Sequence, residues 1–195
     1  RVRTQALKAI AKVSEVLASA TEPRGLLGKV ADTIRESFVL DYVGLYLLDE
    51  ERRYAVLQAG TGEVGATMLA SGWRLLVGGD SMIGQCVASG ELIAMQRATD
   101  QVVRLENPLL PNIQSEAAVP IRCGASILGA MTVQSRTRDA FGEVRLEALR
   151  AVANQVAMAL RGGLPHDRDE LSPPEVDSRG LRGFREQRSD VITGY

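Results

Sequence analysis

The chain has 195 residues, of which 45% are apolar and 24% are charged, a composition typical of a globular protein with one buried core. Its formal net charge is −1, so there is no basic field to hold a phosphate backbone, and we expect no nucleic-acid binding by this segment. No apolar run approaches the ~20 residues that span a bilayer, so we expect no membrane contact by this segment either.

Reactive side chains are few. The sequence holds one histidine, His166, in a glycine- and proline-containing stretch that does not resemble folded core. Catalytic triads and histidine-ligated haem or zinc sites need a histidine held in the fold, so we predict that the chain is not an enzyme. The two cysteines, Cys86 and Cys123, form no C-x-x-C pair. This disfavours a metal site and favours reduced thiols in a cytoplasmic protein. Because the chain opens on Arg1, we expect it to be part of a longer protein.

Amphipathic helices are predicted at the beginning of the chain. Apolar side chains recur at steps of three and four through residues 2–20, which is the period of a helix with one buried face. These positions are Ala6, Ile10, Val13, Leu17 and Ala20. A second helix is predicted to begin near Thr21 and Pro23, as a cap and a first-turn proline, and to end near Phe38.

The middle of the chain changes to the pattern of strands. The β-rich runs 41–48 and 54–59 are separated by a short polar turn, so they are predicted to pair antiparallel. A second hairpin is predicted for residues 115–122 and 126–135, around Gly124. Shorter strands are predicted over residues 73–77 and 92–96. Helical segments are predicted within residues 60–72, before the first of these short strands, and within residues 81–89, between the two. The second segment is expected to be capped by Ser81 and ended by Gly90.

A last helix is predicted from residue 141 to 161, with an apolar seam at Leu146, Leu149, Ala153, Val156 and Leu160. The remainder, residues 162–195, has the composition of a linker. This order of elements predicts an α+β fold with one antiparallel sheet. The terminal helices are expected on one face of the sheet, and the segments between residues 60 and 114 on the other.

Two local features have competing interpretations. Residues 60–65 match the G-x-G-x-x-G pattern of dinucleotide-binding loops, but the preceding strand belongs to a hairpin and not to a βαβ unit, which favours a simple tight turn. Glu116 stands at the start of a strand, where a carboxylate must face solvent or pair with a cation. Arg74 and Arg104 are its possible partners, and a structural ion pair is the plainer interpretation.

Three stretches together resemble the GAF domain of bacterial sensor histidine kinases and chemotaxis-type receptors. They are DYVGLYLLD at 41–49 with AGTGEVG at 59–65, VGGDSMIGQCVASGE at 77–91, and the long segment 107–135. The resemblance covers about residues 1–161. It implies a sheet of about six antiparallel strands, with a ligand pocket under the inserted helices and loops. It also implies a signalling and dimerisation helix at 1–21, the domain itself at 22–161, and a linker to an output module at 162–195.

Strand alternation within this layout predicts the residues of the pocket. Along residues 41–48, Val43, Leu45 and Leu47 are expected to meet the terminal helices, while the opposite face is expected to line the pocket. Gly44 leaves space there and Tyr46 offers a ring and a hydroxyl group. The full predicted set of ligand-binding residues is Gly44, Tyr46, Met82, Ile83, Ser115, Ala117, Thr132 and Gln134.

The sequence departs from the ligand motifs of several branches of the family. The asparagine-lysine-phenylalanine-aspartate-glutamate set of cyclic-nucleotide binders is missing, and no core histidine is available for haem. Bilin attachment uses a cysteine beside a histidine, whereas Cys86 precedes Val87. Free methionine sulfoxide reductases place a cysteine before the serine-glutamate strand, whereas Cys123 follows it. No particular ligand or cofactor is therefore identified.

Three functions follow as hypotheses. The first is a non-catalytic sensory domain that binds a small molecule and signals through its terminal helices as a homodimer. The second is a structural dimerisation domain whose pocket is filled by its own side chains. The third is a thiol enzyme related to the sulfoxide reductases.

Overall fold

A computed structural model of the chain describes residues 2–19, 25–102 and 104–162. These residues belong to one unit that spans residues 1–164. The helices are α1 (Val2–Ala18), α2 (Leu26–Phe38), α3 (Gly62–Ala70), α4 (Met82–Ser89) and α5 (Glu143–Gly162). The strands are β1 (Tyr42–Leu48), β2 (Tyr54–Gly60), β3 (Arg74–Leu76), β4 (Ile93–Met95), β5 (Ser115–Cys123) and β6 (Ser126–Ser135).

The six strands form one antiparallel sheet in the order β3-β2-β1-β6-β5-β4. The α+β class and the six-stranded sheet are thus confirmed. Both predicted hairpins are present, and the central pair β1 and β6 brings together segments that are distant in the sequence. The short strands β3 and β4 close the two edges of the sheet.

The terminal helices cover one face of the sheet. Helices α2 and α5 pack against the strands, and α1 packs against both helices. Val43 and Leu45 of β1 belong to this core, as predicted. Within the predicted seam of α5, Leu149 and Val156 are 0% and 1% exposed, so they lie in the core of the chain itself.

The opposite face is covered by α3, α4 and residues 97–102 and 104–114, which we together call the roof segment. A second apolar cluster lies here, including Tyr46, Met68, Met82 and Leu110. Helix α4 has the predicted ends: the Ser81 hydroxyl accepts a hydrogen bond from the Gly84 N–H at 2.9 Å, and Gly90 adopts the left-handed conformation with φ 73°.

The beginning of α2 differs from the prediction. The helix starts at Leu26 after Gly25, which has φ 77° and supplies no side-chain cap. The predicted signals at Thr21 and Pro23 lie outside the described residues, as do Ala20, His166 and the linker beyond residue 162. None of the helices within the described ranges is long and apolar enough to cross a membrane.

Candidate functional site

A cavity of about 40 Å³ lies between the sheet and the roof segment. Three layers enclose it: the strands below, the first turn of α4 and the end of α3 at the side, and the roof segment above. Its lining residues are Tyr42, Tyr46, Met68, Trp73, Leu75, Ser81, Met82, Ile83, Arg104, Leu105, Asn107, Glu116, Thr132 and Gln134.

A buried carboxylate forms the polar floor of this cavity. Glu116 is 7% exposed. Its Oε1 accepts hydrogen bonds from the Thr132 hydroxyl at 3.0 Å and the Gln134 side-chain amide at 3.1 Å. Its Oε2 accepts one from Arg104 Nε at 3.3 Å. The cation is thus Arg104, one of the two predicted partners; Arg74 instead stacks over the Tyr54 ring at 4.4 Å.

The strand register explains why these groups meet. Glu116 pairs with Gln134 across β5 and β6, and Thr132 lies two residues along β6 on the same face. Burial raises the pKa of the Glu116 carboxyl above its ordinary value, while the hydrogen bond from Thr132 and the charge of Arg104 oppose that rise. The carboxylate is therefore held by two neutral donors on the rigid sheet and by one cation on the roof segment.

Aromatic side chains and a thioether form the apolar wall. The Tyr42 hydroxyl lies 3.7 Å from the Met68 sulfur, and the Asn107 side-chain amide lies 3.3 Å from the same atom. Burial, above all, raises the pKa of both Tyr42 and Tyr46, so both phenols are neutral at physiological pH. This wall combines aromatic rings, a polarisable sulfur and uncharged hydroxyl groups.

Five of the predicted residues line the cavity: Tyr46, Met82, Ile83, Thr132 and Gln134. Gly44 lies on the same face of β1, where a Cβ atom would be 3.0 Å from the Tyr42 hydroxyl. Its role is thus to make room for the two tyrosine rings. Ligand binding by these residues stays a prediction.

Ser115 and Ala117 were assigned to the wrong face of the sheet. Ala117 belongs to the core under the terminal helices, and the Ser115 hydroxyl donates to the Thr137 carbonyl at 2.6 Å. The cause is an irregularity in the β5–β6 register between Ile121 and Arg122. The tight turn pairs Arg122 with Ile127, and an uninterrupted ladder from it would have set Ser115 opposite Gln134. The bulge shifts the register by one residue, so even-numbered residues of both strands share the cavity face.

Several lining residues were missed from the predicted set. Tyr42 has the parity of Tyr46 in β1, and this alternation was a usable signal. Glu116 is predicted from the sequence as an ion-paired residue and not as a ligand-binding one. Trp73 and Asn107 stand in short or irregular segments, where no period indicates the direction of a side chain.

Neither cysteine lines the cavity. Cys86 is fully buried in α4, and burial raises the pKa of its thiol to about 12, so it is protonated and inert at neutral pH. Cys123 is partly exposed at the β5–β6 turn, 3.5 Å from Arg161 Nη1.

The glycines of the G-x-G-x-x-G match make a tight turn and not a dinucleotide loop. Gly60 ends a strand of an antiparallel sheet, and Gly62 has φ 69°. A Cβ atom on Gly65 would lie 2.0 Å from the Gly60 carbonyl carbon. The two backbones touch, which leaves no place between them for a pyrophosphate.

A family model described as the GAF domain matches residues 22–160. No curated protein matches the chain. Among solved structures, the GAF domain of a phosphoenolpyruvate-protein phosphotransferase from Coxiella burnetii is similar, with TM-score 0.71 and 20% identity over 81% of this chain and 94% of that one. This likeness concerns the fold alone.

Enzymes are also among the similar structures. The free methionine-R-sulfoxide reductase of Neisseria meningitidis, solved with its substrate, has TM-score 0.69 and 21% identity over 82% of this chain and 90% of that one. The Staphylococcus aureus enzyme, also solved with its substrate, has TM-score 0.65 and 16% identity over 80% and 95% of the two chains.

These enzymes overturn the prediction that the chain is not an enzyme. That prediction rested on the scarcity of histidine and the positions of the two cysteines. Since this fold carries both sensory domains and enzymes, the scarcity of one residue type does not separate the two classes. The fold is compatible with either.

Proposed function

Because the chain belongs to the GAF domain family, we propose that it is a sensory domain that binds a small molecule in the cavity above Glu116. Occupancy of that cavity changes the position of the roof segment and, through it, of helix α5. The single observation that carries the proposal is a buried, ion-paired carboxylate beside a cavity whose cover is a loop.

The size of the cavity supports a movable cover. About 40 Å³ has room for about three water molecules, so a metabolite can enter only when the roof segment moves. Two exposed leucines lie on this segment, Leu105 at 44% and Leu109 at 42% exposure, and only Leu105 lines the cavity. Leu110 and Ile113 of the same segment are anchored in the apolar cluster, at 6% and 3% exposure. Directly over the cavity, the cover is held by the polar contacts of Arg104 and Asn107.

The attachment of the roof segment supports transmission to α5. At its beginning, the Gln96 side-chain amide pairs with both the N–H and the carbonyl of Phe141, and the Gln96 carbonyl accepts from the Asp139 N–H at 2.9 Å. At its end, the Gln114 side chain accepts from Arg138 Nε at 3.3 Å. Both ends are therefore fastened to the connection that leads into α5.

Further parts of the proposal concern the assembly. We propose that the chain acts as a homodimer through α1 and α5, as part of a signalling protein of the sensor-kinase or chemotaxis-receptor kind. A cytoplasmic location stays a prediction.

A thermal-shift screen with metabolites tests the binding proposal. A ligand at 100 times its dissociation constant stabilises the folded chain by about 2.7 kcal/mol. Leu105→Trp narrows the cavity mouth and is expected to abolish the shift, whereas Leu109→Trp, on the same segment with similar exposure, is expected to keep it. A broad screen without any shift would favour a structural domain whose cavity is filled by its own side chains.

A further inference from the structure

We propose that the ligand of this cavity is a small organic ammonium compound that takes the place of the Arg104 guanidinium on Glu116. The inference rests on the proposed function, since it names the ligand class of the same cavity. It starts from an asymmetry between the two members of the ion pair.

The carboxylate is built into the rigid part of the site. Glu116 lies in β5, and Thr132 and Gln134 of the neighbouring strand both donate to its Oε1. The side chain of Glu116 is 9% exposed. Such a group is positioned before any ligand arrives, and its charge needs a cation whenever water is excluded.

The cation makes fewer contacts than the carboxylate, although its side chain is only 14% exposed. Arg104 stands in the roof segment and meets Glu116 through a single Nε–Oε2 contact at 3.3 Å, not through the paired contacts that a guanidinium and a carboxylate can make. Its other ion-pair contact, from Nη1 to Glu106 at 3.5 Å, is to a side chain 87% exposed. Arg104 is the one basic side chain among the described lining residues, so it is the only one of them that can neutralise the charge at Glu116 Oε2.

An ammonium ligand can exchange with Arg104 without leaving the carboxylate unpaired. Its charge would be close to the aromatic side chains of Tyr42, Tyr46 and Trp73, which line the same cavity and attract cations through their π-faces. As Arg104 leaves, the roof segment is released and the cavity gains the space of the guanidinium. Arg104 thus acts as an internal competitor of the ligand.

A carboxylate ligand is the competing class, because Arg104 and the first turn of α4 also line the cavity. Such a ligand would draw Arg104 away from Glu116 and leave a buried carboxylate without a cation. This cost is why we favour the ammonium class.

The test uses the fluorescence of Trp73, which is the single tryptophan of the chain and lines the cavity. The probe is n-butylammonium chloride, compared with n-butanol and sodium propionate at equal ionic strength. We expect saturable binding of n-butylammonium by the wild type and about tenfold tighter binding by Arg104→Ala, because the internal competitor is removed. Arg104→Ala with Glu116→Gln is expected to lose this binding. Arg53→Ala, which removes an exposed ion pair to Glu51 away from the cavity lining, serves as the control with wild-type affinity.

If Arg104→Ala folds poorly on its own, the readout becomes its melting temperature. n-Butylammonium is then expected to raise it more than sodium chloride does, and an equal effect of the two salts would overturn the inference. Binding of propionate that Arg104→Ala abolishes would overturn it in favour of the anionic class. A neutral or anionic metabolite whose thermal shift depends on Leu105 would end the ammonium inference while the proposed function stands.

Discussion

At the scale of single residues, the ionisation of Glu116 links the site to stability. Burial raises the pKa of this carboxyl above its ordinary value of 4.5, so the folded chain keeps the proton at pH values where the unfolded chain has released it. The stabilisation that this more tightly bound proton gives to the folded chain is fully present below pH 4.5. It is lost as the pH rises through the raised pKa of the folded state. The facing groups are the cation Arg104 and the neutral phenols of Tyr42 and Tyr46.

We therefore predict how the loss of stability caused by Glu116→Gln depends on pH. The difference in the free energy of unfolding between wild type and variant is expected to shrink from pH 4.5 upwards, because glutamine does not titrate. Urea denaturation at several pH values measures it. A difference that grows with pH would mean that the ion pair with Arg104 outweighs burial.

Gly65 supplies a prediction about packing. A Cβ atom there would lie 2.0 Å from the Gly60 carbonyl carbon and 2.1 Å from its oxygen, and backbone cannot move aside as a flexible side chain can. Gly65→Ala is expected to cost about 3 kcal/mol or more of unfolding free energy. Gly62→Ala has open space and is expected to cost only about 1–2 kcal/mol, from its positive φ. Equal losses in chemical denaturation would argue against the contact.

The direction of individual side chains could be predicted from the sequence in β1 but not in β5. Alternation along β1 correctly separates Val43 and Leu45 from Tyr46, because that face assignment needs only one strand. The assignment of Ser115 and Ala117 required the register between two strands. The bulge between Ile121 and Arg122 reversed the predicted face of these two residues, and no residue type in the hairpin indicates that a bulge is present.

At the scale of elements, hydrogen bonds of Gln96 join the beginning of the roof segment to the connection that leads into α5. Gln96→Ala removes both hydrogen bonds to the Phe141 backbone and is expected to cost about 1–3 kcal/mol. Amide hydrogen exchange is expected to accelerate over residues 139–143. Gln58→Ala is the matched control, since the Gln58 amide reaches only the Val56 carbonyl at 3.5 Å. Unchanged exchange at the start of α5 would remove the proposed route of transmission.

Most elements could be predicted because their signals are local. Helical periodicity located α1 and α5, and the Ser81 cap with Gly90 located α4. The face that the roof segment covers could be predicted, but its inward-facing residues could not, since they depend on side-chain contacts such as that between Gln96 and Phe141, 45 residues apart. The cavity lies under this segment, which is why its roof residues were missed.

At the scale of the whole molecule, the terminal helices carry both buried apolar residues, which belong to the core, and exposed apolar residues, which are available for a dimer interface. Leu149→Asp and Val156→Asp place a charge in the buried core and are expected to unfold the chain. Leu7 and Met158 are 67% and 68% exposed on α1 and α5, so Leu7→Asp and Met158→Asp are expected to leave the fold intact. If α1 and α5 form the homodimer interface, the Leu7→Asp and Met158→Asp variants are expected to be monomers. Light scattering with circular dichroism separates the outcomes.

The central claim is that a small molecule occupies the cavity above Glu116. Mass spectrometry of the molecules released by denaturing the natively purified chain tests it most directly. We expect a small organic molecule close to one per chain, retained by Leu109→Trp and lost by Leu105→Trp. An empty wild-type protein, or the same molecule in equal amount on both variants, would contradict the claim.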